Sequence, residues 1–477
     1  MFGKESARWD RNFLWFLTPT LLQGVAGMFI MMPVTTYYLD PADIGVVAIL
    51  TALAMPIVPL ASTGDSWVLS THWHQTSGEG RRDLLFNLLL ANISMKVVWI
   101  LVFWFLSPVL LPVLVRDYRP EYQAYFGLAL VGLLAGTSWI TLSSVMVNER
   151  APVSHAVNES LQWGTGAATT LVGLSVMKLG VVAMFLAPIA GGIASTIHGW
   201  CYIRRKISGR VRAHWLKEII RTGLPAVPFS VTDVAANTLD RFVIQQWLNL
   251  SSLGIYAHAQ TYRGIFINMT KAYSRTMIPN FLELFATGSA RLAHTLESAV
   301  SAWYLCITVG GILVTFFSPE IVHVLTHGKF DEAAKLVPLW YLFVFAHSMG
   351  VPFTQYLLSV RRNGLMSATS ILLSIVTMAL VIAGTWGFGV VGATLAAAGG
   401  AVGLHIARYV IARRLGCPYE LESGFVWGVG ALFATYVAVH GVGLPLGIKV
   451  VTAVSVVGIA LVWLVRVAAV RDILRAA

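Results

Sequence analysis

Residues 218–275 read EIIRTGLPAVPFSVTDVAANTLDRFVIQQWL, then NLSS, then LGIYAHAQTYRGIFINMTKAYSR. The two apolar segments flanking the polar NLSS turn are each long enough to cross about 30 Å of hydrocarbon. Both carry charge inside the apolar run: Asp233, Asp240 and Arg241 in the first, Arg263 and Lys271 in the second. A charge at membrane depth costs about 2.5–3.5 kcal/mol on insertion scales, so such residues face a polar cavity or one another. One reading pairs Asp with Arg to hold two helices together, for example Asp240 with Arg263. The other, which we take forward, is a hydrophilic path for a charged substrate.

The surrounding chain has the composition of a membrane protein. Of 477 residues, 57% are hydrophobic and 12% charged, whereas a soluble domain is about 25% charged. Mean hydropathy is +0.72. Apolar runs recur from end to end, which predicts an all-α polytopic membrane protein of about 14 spanning helices. The first apolar run, about 12–35, lacks a small-residue cleavage site and is expected to stay in the membrane as its own targeting signal. The net charge of +11 follows from the cytoplasmic excess of Lys and Arg that orients such helices, not from binding nucleic acid.

Charge placement predicts the topology. With the N-terminus inside, the inner segments hold Lys4, Arg8, Arg11, Arg81, Arg82, the run from Arg204 to Lys217, Arg361, Arg362, Arg413 and Arg414. The outer loops hold only Arg116, Arg119, Lys178, Lys329, Lys335 and Lys449. That asymmetry puts both termini in the cytoplasm and requires an even helix count. Arg221 and Arg408 lie near cytoplasmic helix ends, where long side chains can snorkel.

The chain also repeats itself at an offset of 209 residues. Pro19 meets Pro228, Gly45 meets Gly254, Gly180-Val181-Val182 meets Gly389-Val390-Val391, Gly191 meets Gly400, and Arg204-Arg205 meets Arg413-Arg414. Hydrophobic composition does not explain shared Pro, Gly and Arg. We read two parallel six-helix repeats, 1–203 and 219–414, joined by a basic cytoplasmic linker at 204–218 and followed by two additional helices in 415–477. The linker is expected against anionic headgroups.

Pro19 and Pro228 occupy matching depths in the first helix of each repeat, where proline removes a backbone donor and kinks the helix. They are either static kinks or hinges for alternating access. Spacings such as Gly132-x-x-x-Gly136 and Gly399-x-x-x-Gly403 predict close helix packing. Lys96 lies mid-helix, one turn from Asn92. We expect it to join Arg263, Lys271 and Arg241 in a cationic cavity between the bundles, suited to phosphate because a low dielectric strengthens each contact. Asp233, Asp240 and Glu159 are candidates for a coupling ion or for structural pairing. Cys201, Cys306 and Cys417 are scattered, and the His residues form no HExxH motif, so no metal site, cofactor or catalytic group is expected. No GxxxxGK[ST] loop is present, and no extramembrane segment suffices for a catalytic domain.

LDRFVIQQWLNLSSLGIYAHAQ (239–260), YYLDPADIGVVAI (37–49) and HGKFDEAAKLVPLW (327–340) resemble the corresponding junctions of Wzx-type polysaccharide flippases. The resemblance implies the multidrug/oligosaccharidyl-lipid/polysaccharide (MOP) exporter superfamily, whose relatives include MurJ lipid II flippases and MATE exporters. It implies two lobes and translocation of an undecaprenyl-pyrophosphate-linked oligosaccharide across the cytoplasmic membrane. It also implies a substrate-binding role for Arg263, near where a relative carries a helix 8 arginine. The partners implied are that lipid-linked oligosaccharide, membrane lipid and the polysaccharide polymerase and co-polymerase, with a monomer sufficing. Two alternatives stand beside it. A MATE-type exporter of cationic drugs would want an acidic cavity, and a membrane polymerase or ligase would want a longer outer loop.

Overall fold

The computed structural model describes Pro19 and residues 22–466, apart from 63–64, 74–75, 150, 208, 225–226, 237, 289, 361 and 420–422. The described residues form helices joined by short turns, with no strand among them. Seven of those helices are long and apolar enough to cross a membrane. This is a multi-pass, all-α membrane protein.

The number of continuous helices differs from the number of spans read in the sequence for local reasons. The 52-residue helix Asn363–Arg414 merges two spans across Gly389, whose φ of 59° and ψ of −144° no helix tolerates. The span expected at 123–146 divides into Glu121–Ala135 and Thr137–Asn148 at Gly136. The span expected at 219–247 divides into Ala213–Gly223, Val227–Ala236 and Leu239–Trp247. Conversely, Gly78–Leu114 runs on through Pro108 and Pro112, residues expected in an outer loop. The first helix departs from α-geometry over Gly27–Met31, where Met32 N–H reaches back to the Gly27 carbonyl. Pro33 follows directly and has no N–H to give the carbonyl one turn before it, which favours such a widened turn.

The chain forms two compact units, Met1–Gly254 and Ile255–Ala477. In the first, Trp73, Leu84, Leu88, Leu142, Ile203 and Ile219 build one core. The basic linker is pinned beneath it. Arg212 N–H donates to Asn87 Oδ1 at 2.9 Å, Asn87 Nδ2 donates to the Arg210 carbonyl at 2.9 Å, and Arg212 Nε meets Asp83 Oδ2 at 3.2 Å. The following helix, Ala213–Gly223, is amphipathic. It buries Ile219 and leaves Lys217, Ile220 and Arg221 exposed, the pattern of a helix lying in a membrane interface.

In the second unit, Phe281, Tyr304, Phe345, Phe353, Tyr356 and Tyr419 dominate a larger core. Helix Ser423–Val437 packs its Leu432 and Phe425 into it. The last helix among the described residues, Leu446–Arg466, is tied to the Ala290–Thr326 helix by Lys449 Nζ on Glu320 Oε1 at 2.7 Å.

Repeat-related glycines take repeat-related roles. Gly180 and Gly389 share the left-handed conformation, at φ 56° and 59°. A Cβ on Gly191 would meet the Gln162 carbonyl at 2.3 Å, and one on Gly400 would meet Thr377 Oγ1 at 2.1 Å. The Gly132–Gly136 spacing is a true close approach, since a Cβ on Gly192 would sit 2.7 Å from Gly136 N. Gly399, by contrast, has nothing within 4 Å; its neighbour Gly400 makes the contact instead.

Candidate functional site

In the second unit, Arg263 lies half-buried on the helix Leu250–Thr287. Its guanidinium stands 4.9 Å from the Trp340 ring centroid and 4.2 Å from that of Phe343. Both aromatics come from the helix Val337–Met349, and Trp340 is fully buried, braced edge-on by Tyr256 at 5.4 Å. A guanidinium is planar and weakly hydrated, so it can stack on aromatic faces while its N–H edge remains usable.

Lys271 follows two turns later on the same helix and is exposed. His347, also exposed, lies within electrostatic reach of Arg408, Arg263 and Lys271. The structure therefore brings together the two residues of this unit expected to bind substrate, and adds two more. Arg408, half-buried, donates from Nη1 to Thr354 Oγ1 at 3.1 Å and from Nη2 to Ser370 Oγ at 2.9 Å. One turn before it, His405 is buried with its ring 5.5 Å from that of His347. The space for that imidazole exists because residue 350 is glycine; a Cβ there would lie 1.6 Å from His405 Nδ1. No motif marks His347 or His405 in the sequence. Arg408 carried a signal, a cation inside an apolar run near a cytoplasmic helix end, which reads as a side chain able to snorkel.

In the first unit the expected residues have their own surroundings. Lys96 is buried, 4% exposed, and acts on Asp65 through space. Arg241 reaches the Ala48 carbonyl from Nη1 at 3.4 Å, and its N–H donates to Asp240 Oδ1 at 2.8 Å. Asp240 is buried. Glu159 accepts from Ser143 Oγ at 3.1 Å and stands 3.6 Å from His155 Nε2. Pro19 is helical and buried, whereas the side chains of Pro228 and Asp233, both on the helix Val227–Ala236, lie outside what the structure describes. Among the described residues no group of three or more His, Cys, Asp or Glu is placed to hold a metal.

A protein-family model described as "Polysaccharide biosynthesis protein" matches residues 37–335. No curated protein sequence matches the chain. Among solved structures, the lipid II flippase MurJ in an inward closed conformation superposes with a TM-score of 0.71 at 10% identity, covering 97% of this chain and 98% of its own. An inward-facing MATE-family multidrug resistance transporter of the MOP superfamily gives 0.67 at 13% identity, covering 88% and 98%. A point mutant of the Vibrio cholerae MATE transporter VcmN gives 0.61 at 11% identity, covering 89% and 100%. At these identities the likeness is one of fold, and it is the fold of the MOP superfamily.

Proposed function

The chain belongs to the polysaccharide biosynthesis protein family, and from that premise we propose that it is a flippase. It carries an undecaprenyl-pyrophosphate-linked oligosaccharide from the cytoplasmic to the periplasmic leaflet of the bacterial inner membrane by alternating access. It acts as a secondary transporter and not as an enzyme, with both termini in the cytoplasm.

The observation that carries this reading is the cationic group of Arg263, Lys271 and Arg408 around His347 within an apolar unit. Three cations gathered in one unit favour an anionic ligand, and a diphosphate supplies that charge with acceptor oxygens that a guanidinium edge matches. A cationic drug would meet repulsion at the same place. Lys96 and Arg241, on the first unit, are proposed to serve the same substrate. Pro19 and Pro228 are proposed as bending points of the first helix of each repeat. A polymerase and a co-polymerase are the expected neighbours, with the flippase itself a monomer.

The test is a strain lacking this protein, whose lipids are extracted and analysed by mass. Polyprenyl-diphosphate oligosaccharide should accumulate, disappear on complementation, and persist when the complementing copy carries Arg263→Ala at wild-type abundance. Full activity of that variant would sink the assignment of Arg263. Altered sensitivity to cationic drugs without lipid accumulation would instead support an exporter, and accumulation of repeat units already exposed to the periplasm would support a polymerase.

A further inference from the structure

One side chain beside Arg263 differs in kind from the cations around it. Along Val337–Met349, Phe343 is half-buried and His347 exposed, while the other residues are buried. The two lie one turn apart, and the Arg263 guanidinium stands 4.2 Å from the Phe343 ring. The open stripe of this helix is therefore the one that meets the cations. Among the described residues neither ring nitrogen of His347 has a hydrogen-bond partner.

The orientation of that imidazole is supported from behind. His405, buried on the helix Asn363–Arg414, stands against it with 5.5 Å between the ring centroids and 76° between their planes. Edge-to-face rings hold one another in place. Glycine at 350 leaves the room for this, since a Cβ there would lie 1.6 Å from His405 Nδ1. That Nδ1 is buried without a partner, a cost that space-filling alone does not explain, because an apolar side chain would avoid it. Three residues on, Arg408 is held by the Thr354 and Ser370 hydroxyls. One helix thus sets both the ring behind His347 and a cation near it.

Arg263, Lys271 and Arg408 can only donate hydrogen bonds, whereas a neutral imidazole brings a lone pair as well as an N–H. Diphosphate oxygens accept, so the three donors serve them and the lone pair does not. A sugar bonded to the diphosphate carries hydroxyls, which donate. We propose that His347 accepts a hydrogen bond from a hydroxyl of the first sugar on a lipid-linked diphosphate, and that His405, in the space left by Gly350, is its positioning residue. The site then tells a lipid diphosphate that carries a glycan from the bare lipid diphosphate. A site built to pair with a hydroxyl discriminates against the analogue that lacks it, because its own polar group is left unfilled. The substrate class rests on the flippase reading; which part of it is read, and by which residues, goes beyond that reading.

Binding to the purified full-length protein in lipid nanodiscs tests this, with undecaprenyl diphosphate and undecaprenyl diphosphate-glucose as the two probes. The wild type should bind the glucosylated lipid about tenfold more tightly than the bare one, the worth of one hydrogen bond. His347→Leu should lose that preference through weaker binding of the glucosylated lipid. His347→Gln keeps an acceptor and should retain part of it. Gly350→Ala should lose it by displacing His405. The double variant Gly350→Ala with His405→Ala has room for the Cβ but nothing behind His347, so the preference should stay lost. A wild-type ratio in His347→Leu overturns the proposal, and a ratio restored in the double variant overturns the role of His405. If Gly350→Ala fails to fold, the contrast between His347→Leu and His347→Gln decides. Equal binding of the two lipids by the wild type overturns the proposal and leaves the lipid-accumulation test of the flippase untouched. Binding of neither lipid overturns both.

Discussion

At the scale of single residues, the site depends on how a cation is held. Arg263 has two aromatic rings within cation–π range, and the larger of them is buried and cannot itself touch substrate. Lysine keeps the charge but not the flat group that lies on those rings. Desolvated cation–π contacts are worth about 2 kcal/mol, and about 1.4 kcal/mol is a tenfold change. Arg263→Lys should therefore cut complementation of a deletion strain by about tenfold or more at unchanged abundance, read as lipid-linked oligosaccharide that remains unflipped. Wild-type turnover in that variant would mean that charge alone matters and the aromatic shelf is packing. Arg263 was legible in the sequence because a charge inside an apolar segment demands an explanation. Its shelf was not, because Trp340 and Phe343 look like any aromatic residues of a membrane helix. The hydroxyl partners of Arg408 were not legible for a related reason: depth along a helix says nothing about which side of the helix meets protein.

At the scale of helices, the 209-residue offset did more than predict homology. Gly45 and Gly254 correspond under it, and so do Pro41 and Leu250. A Cβ on Gly45 would lie 2.0 Å from the Leu250 carbonyl oxygen, and a Cβ on Gly254 would lie 1.7 Å from the Pro41 carbonyl oxygen. The two glycines are repeat equivalents and so are the two carbonyls they face, the reciprocity that a local two-fold relation generates. Because the obstructing atoms are backbone, no rotamer change relieves the clash. Nearby, Gln245 Nε2 donates to the Leu114 carbonyl at 2.6 Å, and Arg116 Nη1 donates to the Leu248 carbonyl at 2.6 Å, closing the same end of these helices. Gly45→Ala is expected to destabilise by about 1–3 kcal/mol, the range for an overpacked contact. Gly254→Ala should do the same, and the double variant should cost less than the sum, since one displacement of the backbones serves both. Thermal unfolding in detergent checks this, and wild-type melting of Gly45→Ala would show that the helices are not held at this distance. Matching residue types at matching offsets were visible in the sequence. That two of them touch was not, because similarity between segments carries no information on whether they meet.

For the molecule as a whole, apolar length and composition were enough to establish an all-α multi-pass protein, since a chain of this composition has no other way to satisfy its backbone in lipid. Helix continuity was less legible. Gly389 turns the chain from one helix directly into the next, and Gly136 separates another two, while hydropathy averages over both. Orientation rests on the distribution of Lys and Arg, and it has a direct test. The native cysteines, Cys201 and Cys306 exposed and Cys417 buried, are replaced first. Single cysteines are then placed at exposed positions with Arg119→Cys, Lys329→Cys, Arg205→Cys and Arg414→Cys, and intact cells are treated with a membrane-impermeant maleimide. The positive-inside arrangement requires labelling at 119 and 329 in intact cells and at 205 and 414 only after permeabilisation. Because 205 and 414 correspond under the repeat, they must behave alike if each repeat holds an even number of spans. Labelling of one and protection of the other would make the repeats inverted, and a flippase built on parallel repeats would then be the wrong mechanical picture.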